Sequence, residues 1–351
     1  MNKVLTIVII FALSICLFTG CSKEKHDDII SETMEENVTE LPTEPLTEPL
    51  TELLTESPTE PPTEPPTEPP TEPPTEPPTE PPTEPPTEPP TEPPTEPPLV
   101  HPETGELVSD YIFSLSNATR SAGYGAEGPR DETNRPYAVL NLQNEYGARY
   151  NTVFIGENEK VIYLTFVEGT EYVDADGVRK TEKLLNILRD NDVKATFFCT
   201  GSYVRRSADL CKRMIEEGHS LGGHGYAHVS GGMALQSVSA QYNDAYQMKN
   251  LVREVLGIEL KLYRPDYEKF SHQSLAILND MGLKTIMQSF AYRDYLLEEH
   301  PDNNETLDMF KKTLHNGEIM GLHPLCDTNI EIMQDFITYA KEQGYIFKSM
   351  N

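Results

Sequence analysis

The chain has 351 residues, enough for one large domain or two ordinary ones, yet its 30 prolines are spread so unevenly that about a third of its length cannot belong to any core. Acidic residues number 57 against 28 basic ones, and from Val100 onward the balance is 36 against 25. No cluster of Lys and Arg offers the footprint that nucleic acid or an anionic lipid surface needs, so such phosphate-rich partners, nucleic acid first among them, are disfavoured.

Residues 1–20 carry one basic residue, Lys3, and then an apolar run from Val4 to Phe18 that is short for a mature membrane span and has the form of a signal peptide. The run ends in Phe18-Thr19-Gly20-Cys21, which resembles the bacterial lipoprotein cleavage box. That resemblance implies a lipid on Cys21, anchorage to the membrane and an extracytoplasmic location for everything after it. An uncleaved anchor or a simple secretory cut is the alternative.

Residues 21–98 contain the unit Thr-Glu-Pro-Pro, loosened at first to Thr-Glu-Pro-Leu and repeated almost without error from Thr43 to Pro98, and 24 of the prolines lie between Pro42 and Pro98. Paired prolines fix φ and remove backbone donors, while a glutamate every fourth residue repels its neighbours, so a disordered, extended polyproline-type stalk is expected. At about 3.1 Å per residue, roughly 56 residues reach on the order of 170 Å, far enough to hold a domain within or beyond a cell wall. A proline-rich signalling ligand is the weaker reading, because no Lys or Arg flanks the repeat. Cys199, Cys211 and Cys326 remain for the folded part; their apolar and helical surroundings point to buried free thiols.

Residues 99–160 show little periodicity and read as a lead-in that packs against the domain. From Val161 on, strand-like and helix-like segments alternate. Strands are predicted at Val161–Phe166, Ala195–Thr200, Ser220–Gly222, Lys261–Tyr263, Thr285–Gln288, Glu318–Leu322 and Tyr345–Phe347. Between them come amphipathic stretches, the first with Val178, Leu184, Leu185 and Leu188 on one face and Asp174 or Asp176 as possible caps. Short apolar strands alternating with helices mean an α/β fold with a parallel sheet, and about seven units favour a distorted (β/α)7 barrel over residues 161–351.

In such a barrel the chemistry gathers in the loops after the strands. Those loops hold Glu168, His224, His228, Arg264, Asp266, Asp294 and His323, the residue types that hydrolysis needs. His224-Gly-Tyr-Ala-His228 spaces two imidazoles so that a divalent ion can bridge them, and its place after a strand and behind Gly222 and Gly223 strengthens that reading over two packing histidines.

The segments VIYLTFVEG, KATFFCTG, MIEEGHSLGGHGYAH, LYRPDY, SFAYRDY and GEIMGLH resemble, in order and spacing, the polysaccharide deacetylase (NodB homology) family, and most of all its peptidoglycan muramic-acid deacetylases. The resemblance covers the C-terminal half. It implies a metal-dependent N-deacetylase of cell-wall peptidoglycan or a related N-acetylated polysaccharide. A divalent metal, usually zinc, would be held by Glu168, His224 and His228; His323 would protonate the leaving amine, with Arg264 and Asp294 as the orienting pair. Val167 stands where the family has the aspartate that takes the proton from water, and valine cannot accept one. Losing a general base costs about 10² to 10⁴ in rate. Glu168, Glu171 and Asp266 are candidates to replace it, and Gly223, Asp266 and Tyr295 are further departures from the family pattern.

Two rival readings stand beside this one. Gly218-His219-Ser220-Leu221-Gly222 matches the nucleophile elbow of serine hydrolases, with Asp294 and His323 following in that order, although a helix rather than a strand is expected before it. The other rival is a non-catalytic, wall-binding descendant that keeps the deacetylase groove without the chemistry.

Overall fold

The computed structural model describes residues 98–121, 128–174, 176–296 and 300–351. The expected signal peptide, Cys21 and the expected stalk as far as Pro97 lie outside them.

Apolar runs dense in β-branched and aromatic residues become strands. In chain order they are β1 (Arg120–Ser121), β2 (Thr152–Val153), β3 (Val161–Glu168), β4 (Thr196–Cys199), β5 (Ser220–Gly223), β6 (Leu262–Tyr263), β7 (Lys269–Phe270), β8 (Lys284–Ile286), β9 (Phe290–Ala291), β10 (Glu318–Leu322) and β11 (Ile346–Phe347). Nine of them make one parallel sheet in the order β2-β8-β6-β5-β4-β3-β10-β9, with β11 beside the start of β3. The remaining pair, β1 and β7, is a small antiparallel ribbon. Among the described residues no ladder joins β2 to β9, so the parallel sheet curls into an incomplete barrel.

Period-two alternation along β3 divides its side chains between two cores. Ile162, Leu164 and Phe166 join the large core between sheet and helices. Val167 instead packs in the barrel interior with Phe198, Leu262, Ile286, Ile319 and Met350, and Tyr163 flanks that cluster. Gly222 is required by this closeness: a Cβ there would fall 2.5 Å from the Phe198 ring of the neighbouring strand.

All seven strands expected from the sequence are present, with ends shifted by a residue or two. β2 and β9 were not expected, because two-residue strands leave no alternation to read. Residues 99–160 are continuous with the barrel: Val139, Tyr146 and Tyr150 of helix Tyr137–Tyr150 enter the large core, and β2 forms one edge of the sheet against β8. Val178 lies outside the first barrel helix, Lys180–Asp190, and is 37% exposed. Asp174 does not cap that helix; its Oδ1 accepts from Asp176 N (2.9 Å) and Val178 N (2.8 Å) and so closes the preceding loop. After β10 the chain forms two helices divided at Ile332, Asp327–Glu331 and Met333–Glu342. Cys199, Cys211 and Cys326 are buried free thiols.

Candidate active site

Parallel strands place their C-terminal ends at one mouth of the barrel, and five of the six residues expected to form the site gather there. His224 follows β5. Its Nδ1 lies 3.0 Å from the Arg264 carbonyl oxygen, which can only accept, so Nδ1 carries the proton and the Nε2 lone pair is left for another partner. Burial, with the neighbouring His228 and Arg264, holds His224 well below the ordinary histidine value, and burial likewise lowers His228. The two rings sit 5.3 Å apart, and His228 in turn packs against Tyr267 at 5.0 Å.

Arg264, at the end of β6, is fully buried. Its Nε and Nη2 donate to the carbonyls of Ile286 (3.0 Å) and Met287 (2.9 Å), and its guanidinium lies 4.3 Å over the Phe198 ring. Asp294, 1% exposed, is held by three donors. Its Oδ1 accepts from His323 Nδ1 at 2.8 Å, and its Oδ2 from His323 N at 2.8 Å and Asn329 Nδ2 at 2.7 Å. The pairing fixes the His323 tautomer. Burial alone would lower the His323 value, but the Asp294 carboxylate, helped by the charge of Glu268, outweighs it and holds the ring above the ordinary histidine range. A histidine oriented in this way, with its protonated form favoured, is suited to donate a proton.

Glu168 is not brought to these imidazoles. On β3 it follows the parity of Phe166 and faces the helices, where Thr181 Oγ1 donates to its two oxygens at 3.2 and 3.3 Å. Burial, reinforced by Glu171, raises its carboxyl well above the ordinary range. Glu171 belongs to the same outer cluster, accepting from Tyr203 Oη at 2.8 Å and Thr181 N at 3.1 Å. Asp266 accepts from Met233 N at 2.7 Å and so ties down the loop beyond His228. Ser220 starts β5, after helix Ala208–Glu216 and a turn at Gly218 (φ +82°), whereas His323 follows the far end of the parallel strand β10. The elbow geometry is absent and a Ser220-based triad does not form.

Glu268, Gln288 and Asn329 also belong to the mouth and were missed. Glu268 sits in the same loop as Arg264 and Asp266, so listing every ionisable group of that loop would have found it. Gln288 is 1% exposed, beyond the end of β8, and Asn329 lies in a short helix six positions after His323; neither type announces itself in a sequence.

Residues 155–286 match the family model for polysaccharide deacetylase. An uncharacterised 30.6 kDa protein of Geobacillus stearothermophilus is 35% identical over 212 residues, which cover 60% of this chain and 76% of that protein. The peptidoglycan-N-acetylmuramic acid deacetylase PdaA of Bacillus subtilis is 32% identical over 205 residues, 58% of this chain and 75% of PdaA. The chain belongs to the polysaccharide deacetylase family. The solved structure of Bacillus subtilis PdaA, described as a family 4 carbohydrate esterase, superposes with a TM-score of 0.59 at 29% identity, covering 67% of this chain and 96% of that one.

A deacetylase of this family is expected to use a divalent metal, and the donor set here decides how well one fits. His224 and His228 supply two imidazoles, one with its Nε2 lone pair free. The third ligand is missing from the arrangement. Val167 has no donor atom and the Glu168 carboxylate is turned to Thr181. Among the described residues no group of three or more His, Cys, Asp or Glu is placed to hold an ion. The residues as arranged do not fit the three-ligand site.

Proposed function

We propose that this deacetylase-family domain takes N-acetylated peptidoglycan or a related wall polysaccharide as its substrate and hydrolyses the acetamide slowly, the acid half of the reaction being intact and the usual base replaced by Val167. The observation that carries this reading is the division of β3, with Val167 facing the barrel interior and Glu168 the helices. Neither residue presents a carboxylate to the mouth. On the other side, Asp294 orients His323 and favours its protonated form, the form that would protonate the leaving amine. Exposed Tyr295, with its ring 6.2 Å from that of His323, offers an apolar face beside the acid for a sugar ring.

The proposal places the domain outside the cytoplasm, tethered by lipid on Cys21 and a stalk long enough to reach wall glycan. The composition and the lipoprotein-like Phe18-Thr19-Gly20-Cys21 support it.

Acetate release from N-acetylated peptidoglycan and chito-oligosaccharides, measured for the wild-type domain and for Val167→Asp, tests the reading. A slow wild type and a variant faster by about 10² or more is the expected result. A silent wild type beside an active variant would make the domain a binding-only descendant. Silence in both would show that the family chemistry is gone.

A further inference from the structure

The loop after β6 contains a carboxylate that neither the family motif nor the acid pair accounts for. Tyr267 and Glu268 both adopt φ of +55°, left-handed conformations that strain a non-glycine residue. Strain of this kind persists where the surroundings over-determine it, often at functional sites. Here the surroundings are the site itself: Tyr267 packs on His228, and a carboxylate oxygen of Glu268 accepts from Gln288 Nε2. The Gln288 amide in turn occupies the space over Gly321, where an added Cβ would meet its Oε1 at 2.0 Å. Gly321 lies two residues before His323 on β10. The Glu268 side chain therefore reaches across the barrel mouth from the β6 side towards the strand that carries His323, and the residue as a whole is half-buried.

We propose that Glu268 is the proton acceptor of this site, a carboxylate supplied from the β6 loop in place of the aspartate missing at the end of β3. The inference rests on the slow hydrolysis proposed above. Water adds its oxygen to the acetamide carbonyl as Glu268 takes its proton. The C–N bond then breaks as His323 Nε2–H protonates the departing amine, leaving a free amino sugar and acetic acid, whose remaining proton passes to the amine or to solvent to give acetate. Glu268 then loses its proton to solvent and His323 regains one. The electrostatics agree with this assignment: burial raises the Glu268 carboxyl above its ordinary range, while Arg264, His323 and Gln288 draw it back down. The group is therefore more basic than an exposed glutamate, as a proton acceptor requires.

The alternative is a glutamate that only braces Gln288, and a pH profile separates the two. Acetate release is followed against pH for wild type, Glu268→Gln, Val167→Asp and the double variant, with melting temperatures recorded for each. The expected result is a loss of at least about tenfold in Glu268→Gln, with the acidic limb of the wild-type profile gone, its melting temperature kept, and the double variant as fast as Val167→Asp. An active wild type whose rate and acidic limb survive in Glu268→Gln overturns the role of Glu268 and leaves the slow-deacetylase reading standing. A silent wild type overturns both.

Discussion

Replacing Asp294 by Asn keeps the shape of the side chain and removes its charge, which isolates what the carboxylate does for His323. Asp294 accepts from His323 Nδ1, His323 N and Asn329 Nδ2, all at 2.7–2.8 Å and all within a buried site. An asparagine accepts through one oxygen and sets its NH₂ against the remaining donors. Hydrogen bonds to a charged group are worth about 1.5–3 kcal/mol each, and part of that is recovered through the remaining oxygen, so a net loss of about 2–4 kcal/mol follows. At roughly 2–4 °C per kcal/mol for a domain of this size, the melting temperature falls by about 5–15 °C. The sign of the pH dependence follows from His323, whose folded value is raised. Its contribution to stability is complete below the unfolded value of about 6.5 and fades as pH rises through the folded one. The gap between wild type and Asp294→Asn is therefore widest near pH 5–6 and narrows above the folded value. In the variant, burial outweighs what remains and the imidazole titrates below the ordinary histidine value. Melting curves across pH, with NMR titration of the His323 ring, read both effects. A gap that does not vary with pH, or a ring that titrates as in wild type, would refute the argument that Asp294 holds His323 charged.

Elemental analysis of the domain after exposure to zinc should find well under one equivalent, because two imidazoles without a carboxylate bind weakly; a full equivalent that disappears in His224→Ala would show that Glu168 leaves Thr181 to complete a site. Glu318, fully buried at the start of β10, has its carboxyl pushed up to about 8 by burial. Its neutral form is the stable one in the folded chain, so wild-type stability falls as pH rises from about 4.5 towards 8, and Glu318→Gln flattens that decline in a series of melting curves. A variant that shows the same pH slope as wild type would exclude Glu318 as its source.

Alternation at the scale of whole elements was readable because each barrel strand is a short apolar run between polar helices, and the residues in the loops after the strands followed from that alone. His224, Arg264, Asp294 and His323 are legible from position alone, each in a loop that follows a strand. The direction taken by Glu168 was not found. Its neighbour Val167 departs visibly from the family motif, and period-two alternation along a strand allows only one of two successive residues to face the barrel interior. Glu268 was missed for a different reason. Its reach into the mouth depends on two consecutive left-handed residues, a backbone state that neither Tyr nor Glu announces.

The uneven survival of the site has a physical explanation in what each position contributes to the fold. Asp294 joins His323 and Asn329 and supports the start of the chain beyond β10, so removing its charge leaves buried donors unmatched. Position 167 is different. There a valine packs against Phe198, Leu262, Ile286 and Ile319, and an aspartate would exchange that apolar contact for a carboxylate in need of partners. Burying a side chain of valine's size stabilises by about 1.5 kcal/mol or more. Loss of the base thus strengthens the barrel interior, whereas loss of the acid pair weakens the mouth. In the slow deacetylase proposed above, a valine at position 167 beside an intact Asp294–His323 pair is therefore the combination that costs the fold least.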